Sequence, residues 1–298
     1  MNLAPVIIFC YRRVDVLNKT ISALKSNTLA SSSDLIIFAD GPKSDADAEG
    51  TRQVREYLQR IDGFKSVKIN ARNRNMGLAN SIISGVTEVI QHHEKAIVVE
   101  DDLVTSANFL SFMNAALDFY EHDQKVFSIS GYKPNIAMPK DYPYDSFFTL
   151  RGHSWGWATW QNRWKHVNWK LDDMEELSQN KKQLRKLKIL GSDMFPMLKK
   201  QYVGKIDSWM IRWCYDQFKK ELFTVYPTTS KVENIGYGEG ATHTVRNLPR
   251  FATVLDSTNQ ENFKFITSES GLDPRIIKKN SYHYSLFNRI LSRLKSML

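Results

Sequence analysis

Residues 96–103, Ala-Ile-Val-Val-Glu-Asp-Asp-Leu, decide how the chain is read. Four apolar residues run directly into three adjacent carboxylates, Glu100, Asp101 and Asp102. A short apolar run closed by polar residues reads as a strand buried on both faces. Such strands belong to parallel sheets covered by helices, and those sheets take ligands at the carboxyl ends of their strands. The triplet therefore stands where a ligand is expected. Three neighbouring carboxylates repel one another, and burying them is costly unless a cation or strong donors offset the charge.

The same alternation repeats on either side. Pro5–Cys10, Leu35–Phe38 and Val67–Asn70 read as strands, and Val16–Lys25, Asp47–Arg60 and Gly77–His92 as helices with apolar residues three and four apart. Downstream, Asn108–Glu121 reads as a helix and Val126–Ser130 as a further strand, followed by a proline-containing loop to about residue 145. No internal repeat and no linker separates independent units. The residues to inspect follow the strands: Tyr11-Arg12-Arg13, Asp40-Gly41, Arg72-Asn73-Arg74 and the triplet.

Hard carboxylate oxygens suit Mg2+ or Mn2+, and a cation held by one or two carboxylates with phosphates filling its other positions is the usual arrangement for nucleotide substrates. Asp40 could accept the N3–H of a uracil, with Arg12 one strand away for base or phosphates. Each also has a plain structural reading, Asp-Gly-Pro as a turn and Arg12-Arg13 as solvated charge. The chain has no GxGxxG after the first strand and no GxxxxGK[ST], which argues against a dinucleotide fold and a P-loop.

At 298 residues, with 42% hydrophobic and 24% charged residues, the chain has ample material for a core, and its 14 glycines and 9 prolines are too few for low complexity. The two cysteines, Cys10 and Cys214, make neither a disulfide framework nor a zinc site, which points to a reducing, cytoplasmic setting. The N-terminal apolar run is far shorter than the roughly 20 residues of a membrane span. The net charge of +9 is uneven: residues 1–130 carry 14 basic and 16 acidic side chains, residues 131–298 carry 27 and 16. The excess lies in KKQLRKLK (181–188), read as a solvated helix face, and in the tail 285–298. There Leu286, Phe287, Ile290, Leu291, Leu294, Met297 and Leu298 recur at helical spacing among Arg289, Arg293 and Lys295. That stripe suits an anionic membrane surface, the protein's own core, or a second copy of the chain. Nucleic acid is not expected, because basic and aromatic residues do not interleave over a broad face.

Taken in order, VIIFCYRR, LIIFADG, RNRNMGLANSI and AIVVEDDL with SANFLSF behind it resemble the nucleotide-sugar half of GT-A glycosyltransferases. The form EDD, a short loop and a Phe-rich helix are similar to the β-1,2-N-acetylglucosaminyltransferase I family, and Asn75-Met76-Gly77-Leu78 resembles the broad family-2 transferases. The resemblance runs through GHSWGWATW and KIDSWMIRW to YPTTSKVENIGYGEGATH, roughly residues 4–243. It implies a GT-A (Rossmann-like) α/β fold, a mostly parallel sheet flanked by helices over residues 1–275, with a nucleotide-sugar half (1–130), an acceptor and catalytic half (131–275) and a basic C-terminal helix (276–298). It also implies a metal-dependent, inverting transfer of a hexose or N-acetylhexosamine such as GlcNAc from a UDP-sugar to a saccharide or lipid-linked saccharide in surface polysaccharide synthesis. The enzyme would be cytoplasmic, peripheral at the inner face of the membrane through 285–298, with a homodimer left open.

By the same resemblance, Arg12 and Asp40 hold the uracil, Tyr11 belongs to the donor nucleotide-sugar site, Arg74 lies near the donor, Glu100 meets the ribose, Asp101 the donor sugar or phosphate, and Asp102 the Mn2+ or Mg2+, with His243 as a second metal or pyrophosphate contact. Asp207 is the candidate base for the acceptor hydroxyl. It departs from the family's Asp-Asp-Trp-Met segment in that Ser208 stands where the base would fall, and Asp207 reads equally as the cap of a helix over 208–219. His153, Trp155, Gly156 and Trp157 are assigned to an acceptor or sugar wall, since aromatic faces bury the apolar face of a pyranose. The spacing of Trp157, Trp160 and Trp164 also favours a helix face packed inward. A sugar-nucleotidyltransferase and a non-catalytic carbohydrate-binding protein are the competing classes; CYRR lacks the glycine-rich loop of the first, and the triplet is unexplained by the second.

Overall fold

The computed structural model describes residues 2–237 and 248–296. Its framework begins with four parallel strands, β1 (Val6–Cys10), β2 (Asp34–Ala39), β3 (Ser66–Ala71) and β4 (Lys95–Glu100), joined by α1 (Val14–Lys25), α2 (Ala48–Leu58) and α3 (Leu78–His92). After β5 (Leu103–Thr105) and α4 (Phe109–Phe119) the chain adds β6 (Val126–Ser130), β7 (Ser146–Thr149) and β8 (Trp157–Trp160). A helical stretch follows: α5 (Gln161–Trp164), α6 (Met174–Gln179), α7 (Lys181–Leu190), α8 (Met194–Tyr202) and α9 (Trp209–Lys219). Then come β9 (Phe223–Pro227), β10 (Val232–Asn234), α10 (Pro274–His283) and α11 (Leu286–Lys295). Eight strands form one sheet in the order β3-β2-β1-β4-β8-β6-β9-β7, and β5 pairs with β10 apart from it. This is the α/β architecture expected, a central, largely parallel sheet flanked by helices, with antiparallel strands entering beyond β4.

The strands fold this way because their side chains alternate between two buried faces. Val6, Ile8, Ile97 and Val99 pack with Leu17 and Ile21 of α1, Val54 of α2 and Phe109 and Phe112 of α4. Ile7, Phe9 and Val98 turn the other way, onto Ile82, Val86 and Val89 of α3 and Trp209 and Trp213 of α9. Each such side chain contributes roughly 1.5–3 kcal/mol relative to exposure. The tryptophan stripe corrects one expectation. Trp157 and Trp160 lie on β8, not on one helix, and face opposite sides of the sheet; only Trp164 is helical. Period-three spacing arose because a four-residue strand runs straight into a helical turn.

Two registers place the site. Phe9 lies opposite Glu100, so the residues after β1 run beside the triplet. β8 runs antiparallel to β4 with Trp157 opposite Val98, which brings residues 154–156 to the carboxyl end of β4.

The basic face of α7 is exposed while Leu187 and Leu190 are buried, as a solvated helix face requires. The tail departs from one of its readings. On α11 the buried residue is Ser292, whose Oγ accepts the Arg250 N–H (3.1 Å), whereas Leu286, Phe287, Ile290 and Leu294 are 49–65% exposed. The apolar stripe faces away from the protein's core. Met297 and Leu298 lie outside the described residues. Among the described residues no helix is long and apolar enough to cross a membrane.

The segment between β10 and α10 is pinned by a buried ion pair. Lys231 meets Asp256, both side chains 4% exposed, and Asp256 also accepts from Asn108 Nδ2 (3.2 Å) and the Thr258 N–H (2.8 Å). Removing one partner leaves the other charge buried and unpaired, at a cost of about 3–5 kcal/mol. Asp256→Ala is therefore expected to lose stability on that scale in urea unfolding, and the double variant Lys231→Met, Asp256→Leu to recover most of it.

Candidate active site

Among the described residues the acidic triplet faces a single guanidinium. Arg13 donates from Nη2 to Asp102 Oδ2 (2.8 Å) and Asp101 Oδ1 (3.2 Å), and from Nη1 to the Gly236 carbonyl (3.3 Å). The Asp101 carboxylate also accepts the Tyr11 N–H, and its carbonyl accepts from Thr20 Oγ1 (2.8 Å). Asn234 Nδ2 donates to Asp102 Oδ1 (3.2 Å). Glycine at position 236 lets the Asp102 carboxylate lie against the backbone: a Cβ there would overlap Asp102 Oδ2 and displace that side chain. Glu100 accepts a hydrogen bond from Ser154.

The charge in this cluster is unbalanced. Burial, with Asp102 and Asp101 nearby, pushes the Glu100 carboxyl up. Burial and Asp102 push Asp101 up as well, against the pull of Arg13. Glu100 is therefore the carboxyl that keeps its proton most readily, and among the described residues one guanidinium faces the remaining two carboxylates. Arg13 is the side chain at the triplet that the sequence reading passed over in favour of Arg12. Strand pairing runs the residues after β1 beside those after β4, with Phe9 opposite Glu100, and Asp47 draws Arg12 aside.

The other strand ends gather beside this cluster in a different way. Arg12 pairs with Asp47, and Tyr11 Oη accepts the Lys43 N–H (3.0 Å). Both Asp40 oxygens accept the Met76 N–H (2.9 and 3.0 Å), and Oδ2 also accepts from Ser81 Oγ (3.3 Å). Asp40 thus staples the loop after β3 to the end of β2. Gly41 permits the close approach: a Cβ there would lie 2.6 Å from the Arg74 nitrogen. The Arg74 side chain is exposed.

Next to Glu100, residues 153–156 form an aromatic wall. His153 stacks on Tyr132 with centroids 4.1 Å apart, and Trp155 meets Tyr132 edge-on (4.8 Å) and Phe251 (5.5 Å). Gly156 immediately precedes β8, its carbonyl accepting the Gly131 N–H (2.5 Å). Trp157 does not belong to this wall. It is 2% exposed and packed among Trp164, Trp209 and Trp213, so its assignment to a sugar wall is corrected to the core.

Asp207 precedes α9, and Ser208 is the cap, its Oγ accepting the Ile211 N–H (3.3 Å). The capping reading of Asp207 is corrected accordingly. Its carboxylate, 58% exposed, pairs with Arg212 (3.0 Å). His243 lies outside the described residues.

The donor set fits a hard divalent cation. It consists of carboxylate oxygens carrying more negative charge than Arg13 offsets among the described residues, with Asp102 as the residue to hold the ion. Among the described residues no three His, Cys, Asp or Glu side chains converge as a metal site, so an ion held here takes its other ligands from substrate and water.

No protein-family model and no curated protein matches the chain. Among solved structures it is similar to a mannosyltransferase from Pyrobaculum calidifontis in complex with GDP-Man and Mn2+ (12% identity, TM-score 0.33, 53% of this chain and 47% of that one). It is also similar to residues 1–349 of TarS from S. aureus (8% identity, TM-score 0.42, 76% and 59%). A third is a putative glucose-1-phosphate thymidylyltransferase from Bacillus anthracis in complex with a sucrose (10% identity, TM-score 0.35, 68% and 84%). The chain thus spans about half the length of the first two. At these identities and scores no residue role follows from them.

Arg13→Met is expected to lower the melting temperature, because Asp101 and the partly buried Asp102 lose the guanidinium that pairs with both, a loss of about 1–3 kcal/mol. Millimolar Mn2+ should restore part of that loss in thermal melts, and Asp102→Asn in the same background should abolish the restoration.

Proposed function

We propose that the chain is a metal-dependent glycosyltransferase that moves a hexose or N-acetylhexosamine from a UDP-sugar to a saccharide or lipid-linked saccharide acceptor, with inversion. One observation carries the reading: a charge-unbalanced carboxylate cluster at the end of the central strand β4, with an aromatic wall at its side. A diphosphate with its cation supplies the charge that the cluster lacks, and the wall offers a flat apolar surface of the kind that takes a pyranose face.

In this reading Tyr11, Arg12, Asp40 and Arg74 receive the nucleoside, Glu100 the ribose, and Asp101 the donor sugar or phosphate. Arg12 is 39% exposed, paired with Asp47 and set over the Tyr11 ring (5.8 Å), which leaves it able to exchange the carboxylate for a phosphate. Mn2+ or Mg2+ on Asp102, with His243 as a further contact, would stabilise negative charge on the departing UDP. Arg13 orients Asp101 and Asp102 toward one another. His153, Trp155 and Gly156 line the acceptor side and exclude water. Asp207 takes the proton of the acceptor hydroxyl; Ser208 is occupied by capping and has no useful basicity, so the carboxylate one position earlier is the available base.

The exposed stripe of α11, Leu286, Phe287, Ile290 and Leu294, with Arg293 and Lys295 on the same helix, suits the surface of an anionic bilayer, which supports action at the membrane that carries a lipid-linked acceptor.

Calorimetry with UDP is expected to show binding that requires Mn2+ and disappears in Asp102→Asn. Asp207→Asn should bind UDP as the unsubstituted chain does and lose about 100- to 10,000-fold in transfer rate. No metal-dependent UDP binding would refute the donor site. On vesicles, Phe287→Glu with Ile290→Glu should abolish sedimentation with phosphatidylglycerol liposomes and leave UDP binding intact.

A further inference from the structure

Against the aromatic wall lies a second cluster of opposite sign. Among the described residues, Arg250 leaves Nε and Nη1 buried without a hydrogen-bond partner, Arg289 leaves Nε so, and the buried groups His283 Nε2, Tyr284 Oη and Tyr132 Oη are likewise unpaired. His283, Tyr284 and Tyr132 are 3%, 2% and 0% exposed. The groups are close neighbours. The His283 and Tyr284 rings lie 4.7 Å apart, Phe251 bridges His283 (6.4 Å) and the Arg250 guanidinium (4.1 Å), and Arg151 stacks on Tyr284 (4.1 Å). Burial, then Arg250 and Arg151, holds His283 down at about 4, so its ring is neutral. The nearby carboxylate, Asp193, is already committed to Arg151 through two hydrogen bonds (2.8 and 2.9 Å).

Unpaired buried polar atoms in a native fold call for a water, an ion or a ligand. The three arginine nitrogens can only donate, and the tyrosines and the histidine can each donate. A water accepts about two hydrogen bonds and leaves the guanidinium charge uncompensated. Six donor atoms also exceed the roughly four acceptor positions of a carboxylate, whereas a phosphate group offers three strongly accepting oxygens and up to two charges.

We propose that Arg250, Arg289, His283, Tyr284 and Tyr132 form a site for a phosphate group carried by the acceptor. The acceptor assignment rests on the glycosyltransferase reading above. It follows from position, because the wall touches both clusters at different residues: Tyr132 and, through Phe251, Trp155 adjoin the arginine cluster, whereas Ser154 adjoins Glu100. The donor's own phosphates have their place at the carboxylates, so the second anion belongs to the second substrate.

The test is a calorimetric titration of the full chain with inorganic phosphate, alone and with UDP and Mg2+ at saturation, on the unsubstituted protein and on Arg250→Gln and Arg289→Gln. Phosphate should bind, each substitution should weaken it by roughly tenfold or more, and UDP should leave it unchanged. Thermal melts separate binding from scaffolding. If the arginine serves the anion, Arg250→Gln keeps or raises the melting temperature in phosphate-free buffer, because like charges are relieved, and loses the rise that phosphate produces. If it serves only the fold, the substitution lowers the melting temperature and keeps that rise, which overturns the proposal. Absence of phosphate binding overturns it too, even where UDP binds. Competition between UDP and phosphate would make this the donor's pocket and overturn the acceptor assignment. Phosphate binding without any UDP binding would instead refute the donor reading, and with it the acceptor assignment, while the anion site stands.

Discussion

Everything at the carboxyl end of the sheet depends on the pairing of β1 with β4. Parallel hydrogen bonding sets Phe9 against Glu100, and from that single register the residues after β1 run alongside the residues after β4. Tyr11 can then give its N–H to Asp101, and Arg13 can reach Asp101 and Asp102 together. A slip of one residue would turn each side chain to the opposite face. The carboxylates would then lose their guanidinium, and the aliphatic residues that alternate along both strands would exchange sides of the sheet.

Much of the framework was legible because buried parallel strands and amphipathic helices announce themselves by composition and period. Val126–Ser130 ends where its apolar run ends, and β1 to β4 differ from expectation by a residue or so at their ends. The tryptophan stripe misled because periodicity alone does not separate a helix from a strand that runs into a helical turn, and Trp157 and Trp160 prove to face opposite sides of one strand. The strand ends were legible as a place and less so as a set of contacts. Which of two adjacent arginines meets the triplet depends on register and on Asp47, 34 residues beyond Arg13 in the chain and drawing Arg12 aside. The basic cluster was invisible because Arg250, His283 and Arg289 are dispersed through a segment whose positive charge reads as surface.

The tail shows how a pattern can be right about geometry and silent about direction. Its apolar residues do share one side of a helix, yet the side that docks is the polar one, through Ser292 and Arg289. Amphipathicity records that two faces differ; the partner of each face is decided by what the rest of the protein presents, here the Arg250 backbone and Ser192.

The strand β8 enters antiparallel between β4 and β6, so the carboxylate cluster and the aromatic wall hang from neighbouring rows of one hydrogen-bonded sheet. The spacing between what the acids hold and what the wall holds is therefore a property of the sheet's lattice and not of a loop. Such an arrangement works as a ruler. Variation in the surrounding loops can change which molecules are admitted, while the interval across which two of them meet stays that of adjacent strands.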